Sequence, residues 1–125
     1  MKILLLDDKP IDLERAVQAT KDIFPQAEIF STDDENIALD YTSKNLPHLA
    51  VLDIILKKEH GYAMCSKILE INPDCHVILL TGSLNAIDSG LANRNGAYGF
   101  AIKTKNMVAF KDLLKKIKKD SLVEA

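Results

Sequence analysis

Two hydrophobic periodicities alternate along the chain. Residues 2–6 form a nearly continuous apolar run, the pattern of a strand buried on both faces. From Ile11 the period lengthens, and Leu13, Ala16, Val17, Thr20 and Phe24 fall at helical spacing until Pro25 stops them. Residues 27–30 predict a short second strand. Thr32-Asp33-Asp34-Glu35 then reads as a capping box for a helix with Ile37, Ala38 and Tyr41 on its apolar side, closed by Leu46-Pro47. Residues 48–52 predict a third strand that ends at Asp53. After the polar loop 57–60, Gly61 opens a helix carrying Met64, Ile68 and Ile71, and Asn72-Pro73 ends it. Residues 76–80 predict a fourth strand ending at Thr81-Gly82. The following helix, about 84–93, is weak because it carries Gly90 and several Asn, and Gly96 is its expected stop. Residues 97–102 predict a fifth strand running into Lys103. A last helix presents Met107, Phe110, Leu113, Leu114 and Ile117.

Five strands alternating with five helices through short loops predict an α/β fold, a doubly wound parallel sheet covered on both faces. The 125 residues suit one domain, 1–125, and 47% hydrophobic residues suffice for its core. A net charge of -2 offers no general field for nucleic acid or an anionic membrane. Lys111, Lys115, Lys116, Lys118 and Lys119 read as the solvated side of the last helix. Cys65 and Cys75 have neither disulfide-framework nor metal-ligand spacing, which suits a reducing cytoplasm. The opening apolar run meets Asp7 too soon for a signal peptide or a membrane span.

In open parallel sheets, ligands gather outside the carboxyl ends of the strands. Those ends hold Asp7 and Asp8 after the first strand, Asp53 after the third, Thr81 after the fourth and Lys103 after the fifth. An Asp after a strand is ordinarily a turn or cap residue. The coincidence of these groups on one rim is the signal. Two like charges about 4 Å apart repel by about 1 kcal/mol in water and about 4 kcal/mol at an effective dielectric near 20. Either a carboxylate protonates or a cation sits among them. All-oxygen donors favour Mg²⁺, and the absence of His or Cys argues against zinc. A carboxylate beside Mg²⁺ can attack phosphorus and form an aspartyl phosphate without a general base. An ammonium and a hydroxyl nearby can then stabilise the phosphoryl oxygens.

The constellation resembles the receiver domains of two-component response regulators across essentially the whole chain. The matching marks are Leu6-Asp7-Asp8, Leu52-Asp53, Gly61, Leu80-Thr81-Gly82 and the run from Gly96 to Lys103. The resemblance implies a flavodoxin-like fold with strand order 2-1-3-4-5. It implies Asp53 as phosphoacceptor, and Asp7, Asp8, Asp53 and the backbone carbonyl of Ile55 as ligands of Mg²⁺. Thr81 and Lys103 would bind the phosphoryl group, with Phe100 as the aromatic switch residue; a plain core aromatic is the competing reading of Phe100. The implied partners are a sensor histidine kinase or phosphotransfer protein and an unknown downstream protein. Neither nucleic acid nor membrane is bound directly. The fourth helix, fifth strand and fifth helix would form the responsive surface, through which two copies could pair.

Three features depart from the family pattern. Thr104 stands where Pro usually follows the lysine, which predicts a trans Lys103–Thr104 peptide because a cis bond before a non-proline costs about 2.5–4 kcal/mol. Lys57 and Lys58 make the loop after Asp53 basic, and Ile55 is apolar where the family tunes dephosphorylation. Alternatives to the switch are a phosphorylation-independent interaction module and a Mg²⁺-dependent aspartyl phosphatase. The phosphatase usually spaces its two acids by one residue, whereas Asp7-Asp8 are adjacent and followed by Lys9-Pro10. An FMN binder would want a Ser/Thr-rich loop where these acids stand.

Overall fold

The computed structural model describes residues 1–124, with side-chain surroundings described through Asp120. The strands are β1 (Lys2–Leu6), β2 (Glu28–Thr32), β3 (Leu49–Asp53), β4 (His76–Thr81) and β5 (Gly99–Ile102). The helices are α1 (Pro10–Ile23), α2 (Glu35–Asn45), α3 (Gly61–Ile71), α4 (Ser89–Arg94) and α5 (Val108–Glu124). All strand pairs are parallel, in the order β2-β1-β3-β4-β5. The expected fold class and strand order are both present. Among the described residues no helix is long and apolar enough to cross a membrane.

Side chains alternate across a strand, so each strand feeds two separate cores. Ile3, Leu5, Leu49, Val51, Ile78, Leu80 and Ala101 pack with Ala16 and Ala19 of α1 and with Phe110, Leu114 and Ile117 of α5. On the other face Leu4, Leu6, Ala50, Leu52, Val77 and Leu79 meet Ala38 of α2, Met64, Cys65 and Ile68 of α3, and Ala92 of α4. Burial on both faces explains the unbroken apolar runs of β1, β3 and β4.

Helix ends follow local chemistry. Pro10 begins α1 at a position whose N–H would be unpaired in any helix. For α2 the cap is Asp34, not Thr32: Asp34 Oδ1 accepts from Ile37 N at 3.0 Å. Thr32 Oγ1 accepts from Asp34 N at 3.1 Å, and buried Glu35 accepts from Lys58 N at 3.3 Å instead of reaching back to the cap. Ile37 consequently points outward and the inner side of α2 is Glu35, Ala38 and Thr42. His60, to which the sequence assigned no role, caps α3 by accepting from Ala63 N at 3.3 Å.

The segment expected as one weak helix over 84–93 is split into a 3-10 turn, Leu84–Ala86, and the six-residue α4. Gly96 ends α4 at φ +84°. Its N–H donates to Asn93 O at 3.1 Å, and Ala97 N to Ala92 O at 3.0 Å, the paired bonds of a Schellman end. Two lysines of α5 do more than face solvent. Lys118 Nζ donates to Ile23 O at 2.8 Å, and Lys111 Nζ lies 3.3 Å from Asp22 Oδ2, so both hold α5 to α1.

Candidate phosphoacceptor and metal site

Register sets the site. Leu6 pairs with Leu52, Leu52 with Leu79, and Leu79 with Phe100, so the carboxyl ends of the four strands finish almost level. Asp7 follows β1, Asp53 ends β3, Thr81 ends β4 and Lys103 follows β5. Alternation then decides which side each takes. Asp7, Asp53 and Lys103 share the parity of Leu5, Val51 and Ala101, the strand residues that face α1 and α5. Thr81 and Phe100 have the other parity, that of Val77 and Leu79, toward α4.

The three groups on the α1 side meet closely. Lys103 Nζ lies 2.6 Å from Asp7 Oδ2, 3.1 Å from Asp12 Oδ2 and 3.3 Å from Asp53 Oδ2. Its side chain is 3% exposed and that of Asp53 is 1% exposed, so these ion pairs lie out of bulk water. Burial drives the Asp7 carboxyl above its usual range, and the Lys103 ammonium offsets this only in part. Burial opposes the charge on Lys103 too. There the neighbouring carboxylates, Asp7 first, win and hold the ammonium above the ordinary lysine range.

Two side-chain-to-backbone turns fix the acids. Asp7 Oδ1 accepts from Lys9 N at 2.9 Å and Asp53 Oδ1 from Ile55 N at 3.2 Å. Ile55 thus touches Asp53 through its backbone N–H, while the residue is 51% exposed. Gly61 is required behind Asp53. A Cβ there would press into the Asp53 carbonyl oxygen and come within 2.9 Å of Ile54 Cα. Its N–H donates to Ile54 O at 2.7 Å, closing the loop after β3.

Thr81 is fully buried. Its Oγ1 accepts from Ser83 N at 3.2 Å, and its carbonyl accepts from Lys103 N at 2.7 Å. No hydrogen bond donated by the Thr81 hydroxyl is present among the described residues. Phe100 is 38% exposed on β5, which removes the plain core reading of this aromatic. The Lys103–Thr104 peptide is trans, as expected with Thr in place of Pro.

Carboxylate oxygens of Asp7, Asp8 and Asp53 lie within 4.8 Å of one another. An all-carboxylate set of this spacing fits a hard divalent cation that keeps some of its water.

Two residues of the site were missed in the sequence. Asp12, in the first turn of α1, is a second acid on Lys103. Its position one turn past Asp8, at the helix end that faces the rim, was the available signal. Lys9 lies across the acidic group, with Nζ 2.7 Å from Asp53 Oδ2 and 3.3 Å from Asp8 Oδ1. The sequence offered only its adjacency to Asp8.

A buried carboxylate at the carboxyl edge of a doubly wound sheet, with two further acids and an ammonium beside it, is the arrangement expected of aspartate-based signalling receivers. The chain belongs to the response regulator receiver domain family, whose model matches residues 3–125. Receiver domains of this family are phosphorylation-dependent signalling switches, and they hold Mg²⁺ at an acidic pocket.

The chain is 28% identical over 106 residues to BvgA of Bordetella pertussis, a match covering 85% of this chain and 50% of that protein. It therefore spans about half the length of that curated relative. A CheY-like receiver domain protein from Methanospirillum hungatei is 27% identical, covers 95% of this chain and 91% of its own, and superposes with a TM-score of 0.78. The receiver domain of a DNA-binding response regulator from Colwellia psychrerythraea, at 22% identity and a TM-score of 0.82, shares the fold over 95% of this chain and 98% of its own.

Proposed function

We propose that Asp53 is the phosphoacceptor, taking a phosphoryl group from a phosphohistidine on a sensor kinase or phosphotransfer protein. The observation that carries this reading is the Asp53 carboxylate itself. It is nearly inaccessible to bulk water yet lies within 3.3 Å of the Lys103 ammonium and beside two further acids. In the transfer a bond forms between an Asp53 carboxylate oxygen and phosphorus as the donor's P–N bond breaks, and the imidazole leaves. Asp53 needs no base, because a carboxylate is already ionised. Lys103 holds the Asp53 oxygens in place and offers its charge to a phosphoryl oxygen, while Thr81 donates its hydroxyl proton to another. Mg²⁺, held by Asp7, Asp8, Asp53 and the Ile55 carbonyl, would supply the remaining charge neutralisation.

The chain acts as a switch and not as a turnover enzyme. Its output is a change in the α4, β5 and α5 surface, in which Phe100 moves with Thr81. That surface contacts a downstream protein and could pair two copies; it does not bind nucleic acid or a membrane. We place this activity in the cytoplasm, where the free thiols Cys65 and Cys75 remain reduced.

Incubation with acetyl phosphate and Mg²⁺, read by intact mass, tests the assignment. The wild type is expected to gain one phosphoryl group and Asp53→Asn none. An equal adduct on Asp53→Asn would remove the acceptor assignment. No adduct on the wild type would favour the phosphorylation-independent module.

A further inference from the structure

Lys9, like Asp12, has no place among the family roles, and unlike Asp12 it lies directly on the acids that could hold a cation. Its backbone is held from both sides: its N–H donates to Asp7 Oδ1 at 2.9 Å, and its carbonyl accepts from Leu13 N at 2.9 Å in the first turn of α1. Pro10 follows and restricts the chain further. The residue is therefore fixed at the lip of the pocket, and only its side chain is free to choose. That side chain folds inward. Its ammonium donates to Asp53 Oδ2 at 2.7 Å and lies 3.3 Å from Asp8 Oδ1, two of the three acids that could hold a cation.

The two ammonium ions on Asp53 differ in kind. Lys103 is enclosed, with contacts to Asp7, Asp12 and Asp53 and a side chain 3% exposed. Lys9 is 50% exposed. A flexible lysine stem recovers rotamer freedom and hydration when it leaves a half-exposed ion pair. Lys103 cannot leave without abandoning Asp7, which has no other ion pair among the described residues, whereas buried Asp53 keeps Lys103 when Lys9 leaves.

We propose that Lys9 is a tethered counter-ion for the metal-free pocket, which competes with a divalent cation for Asp8 and Asp53 and must swing out before the cation and a phosphoryl group can be accepted. This rests on the reading of the acidic pocket as a cation site. Carboxylates that would repel one another in the free pocket are partly neutralised by Lys9, which stabilises the fold without metal. A cation at the same oxygens finds the ammonium a like charge at close range. Lys9 thus lowers cation affinity and makes the pocket's readiness for phosphorylation dependent on cation concentration.

Binding of Mn²⁺ to the full chain, read by loss of the free-ion EPR signal, tests this without any phosphorylation step. Lys9→Met is expected to bind Mn²⁺ about tenfold tighter than wild type, a change of about 1.4 kcal/mol. Lys9→Arg, which keeps the charge, should bind like wild type. In chelator Lys9→Met should melt below wild type, and saturating Mg²⁺ should close that gap. If Lys9→Met does not fold in chelator, Lys9→Gln provides the same comparison with a polar replacement. Equal Mn²⁺ affinity in wild type and the charge-removing variants overturns the counter-ion role while leaving the cation site intact. Absence of Mn²⁺ binding in every variant overturns both.

Discussion

The two faces of the sheet are built to different standards. On one, α5 spans Val108–Glu124 and lays Phe110, Leu114 and Ile117 against β4 and β5, with Met107 just ahead of it. The Lys118–Ile23 and Lys111–Asp22 contacts fasten it to α1. On the other, the cover over the same strands includes a six-residue helix that buries Ala92 alone. Asp7, Asp53 and Lys103 face the well-covered side, and Thr81 and Phe100 share the parity of the thin side. Asp7, Asp53 and Lys103 are thus mounted on the better-packed face, while Thr81 and Phe100, proposed to couple the phosphoryl group to the output surface, lie toward the thinner cover. Regions that rearrange are drawn from the less stable parts of a fold. The division follows from strand parity and helix composition, with no need for a special linkage.

The largest expected effect tests the contrast directly. Phe110→Ala removes a fully buried ring from the α5 face and should cost about 3–5 kcal/mol. Ala92→Gly, at the only buried position of α4, should cost about 1 kcal/mol, mostly from backbone entropy. Urea denaturation of the two variants measures both. Costs of similar size would remove the asymmetry between the faces.

A smaller effect isolates the strap that holds the thin side. Tyr62 of α3 donates its hydroxyl to Ala86 O at 2.8 Å and accepts from Asp88 N at 2.7 Å, so one phenol bridges the 3-10 turn and the start of α4. Cys65 provides the reporter, since its thiol donates to Asn95 O at the end of α4, at 3.3 Å. Burial pushes that thiol up to about 11 and the Cys75 thiol to about 12. Labelling of Cys65 near pH 8 therefore awaits an opening of the helix. Tyr62→Phe should weaken the strap by about 1 kcal/mol and speed Cys65 labelling about fivefold. Cys75, ahead of β4, whose thiol donates to His76 O and not to α4, is the comparison. Equal acceleration at both thiols would mean a general loss of stability instead of a looser α4.

The same contrast explains what could be read from the chain alone. β1, β3 and β4 were legible because strands buried on both faces must be continuously apolar, and their ends were marked by the polar residues that form the rim. α5 was legible because its stripe, Phe110, Leu114 and Ile117, is also its buried side. α2 misled because its polarity pattern is shallow: Ile37 points outward while Glu35 and Thr42 turn in, each tied to a backbone group, Lys58 N and Ala38 O. α4 could be recognised as weak but not divided, since nothing in its composition separates a 3-10 turn from a short helix. Lys9 lay beyond reach for a different reason. A half-exposed lysine has several low-energy positions, and the one it takes depends on where Asp53 arrives from β3.

The smallest effect sharpens the comparison from the opposite direction, by strengthening the thin side. Gly90 lies inside α4, where glycine forfeits stability relative to alanine through the freedom of its unfolded backbone. A Cβ at this position would sit 3.3 Å from Asp88 Oδ1 and 3.8 Å from Arg94 Nη2, so space exists with a slight shift of one side chain. Asp88 Oδ1 is the cap that accepts from Leu91 N at 3.0 Å, and a shift of a few tenths of an ångström weakens that bond without breaking it. Gly90→Ala should therefore stabilise the chain by about 0.5 kcal/mol, the helix gain less a fraction of the cap. Amide exchange should slow within Ser89–Arg94 and stay unchanged in α5. A lowered urea midpoint would show that the cap at Asp88, and not the poverty of the helix, sets the stability of this face.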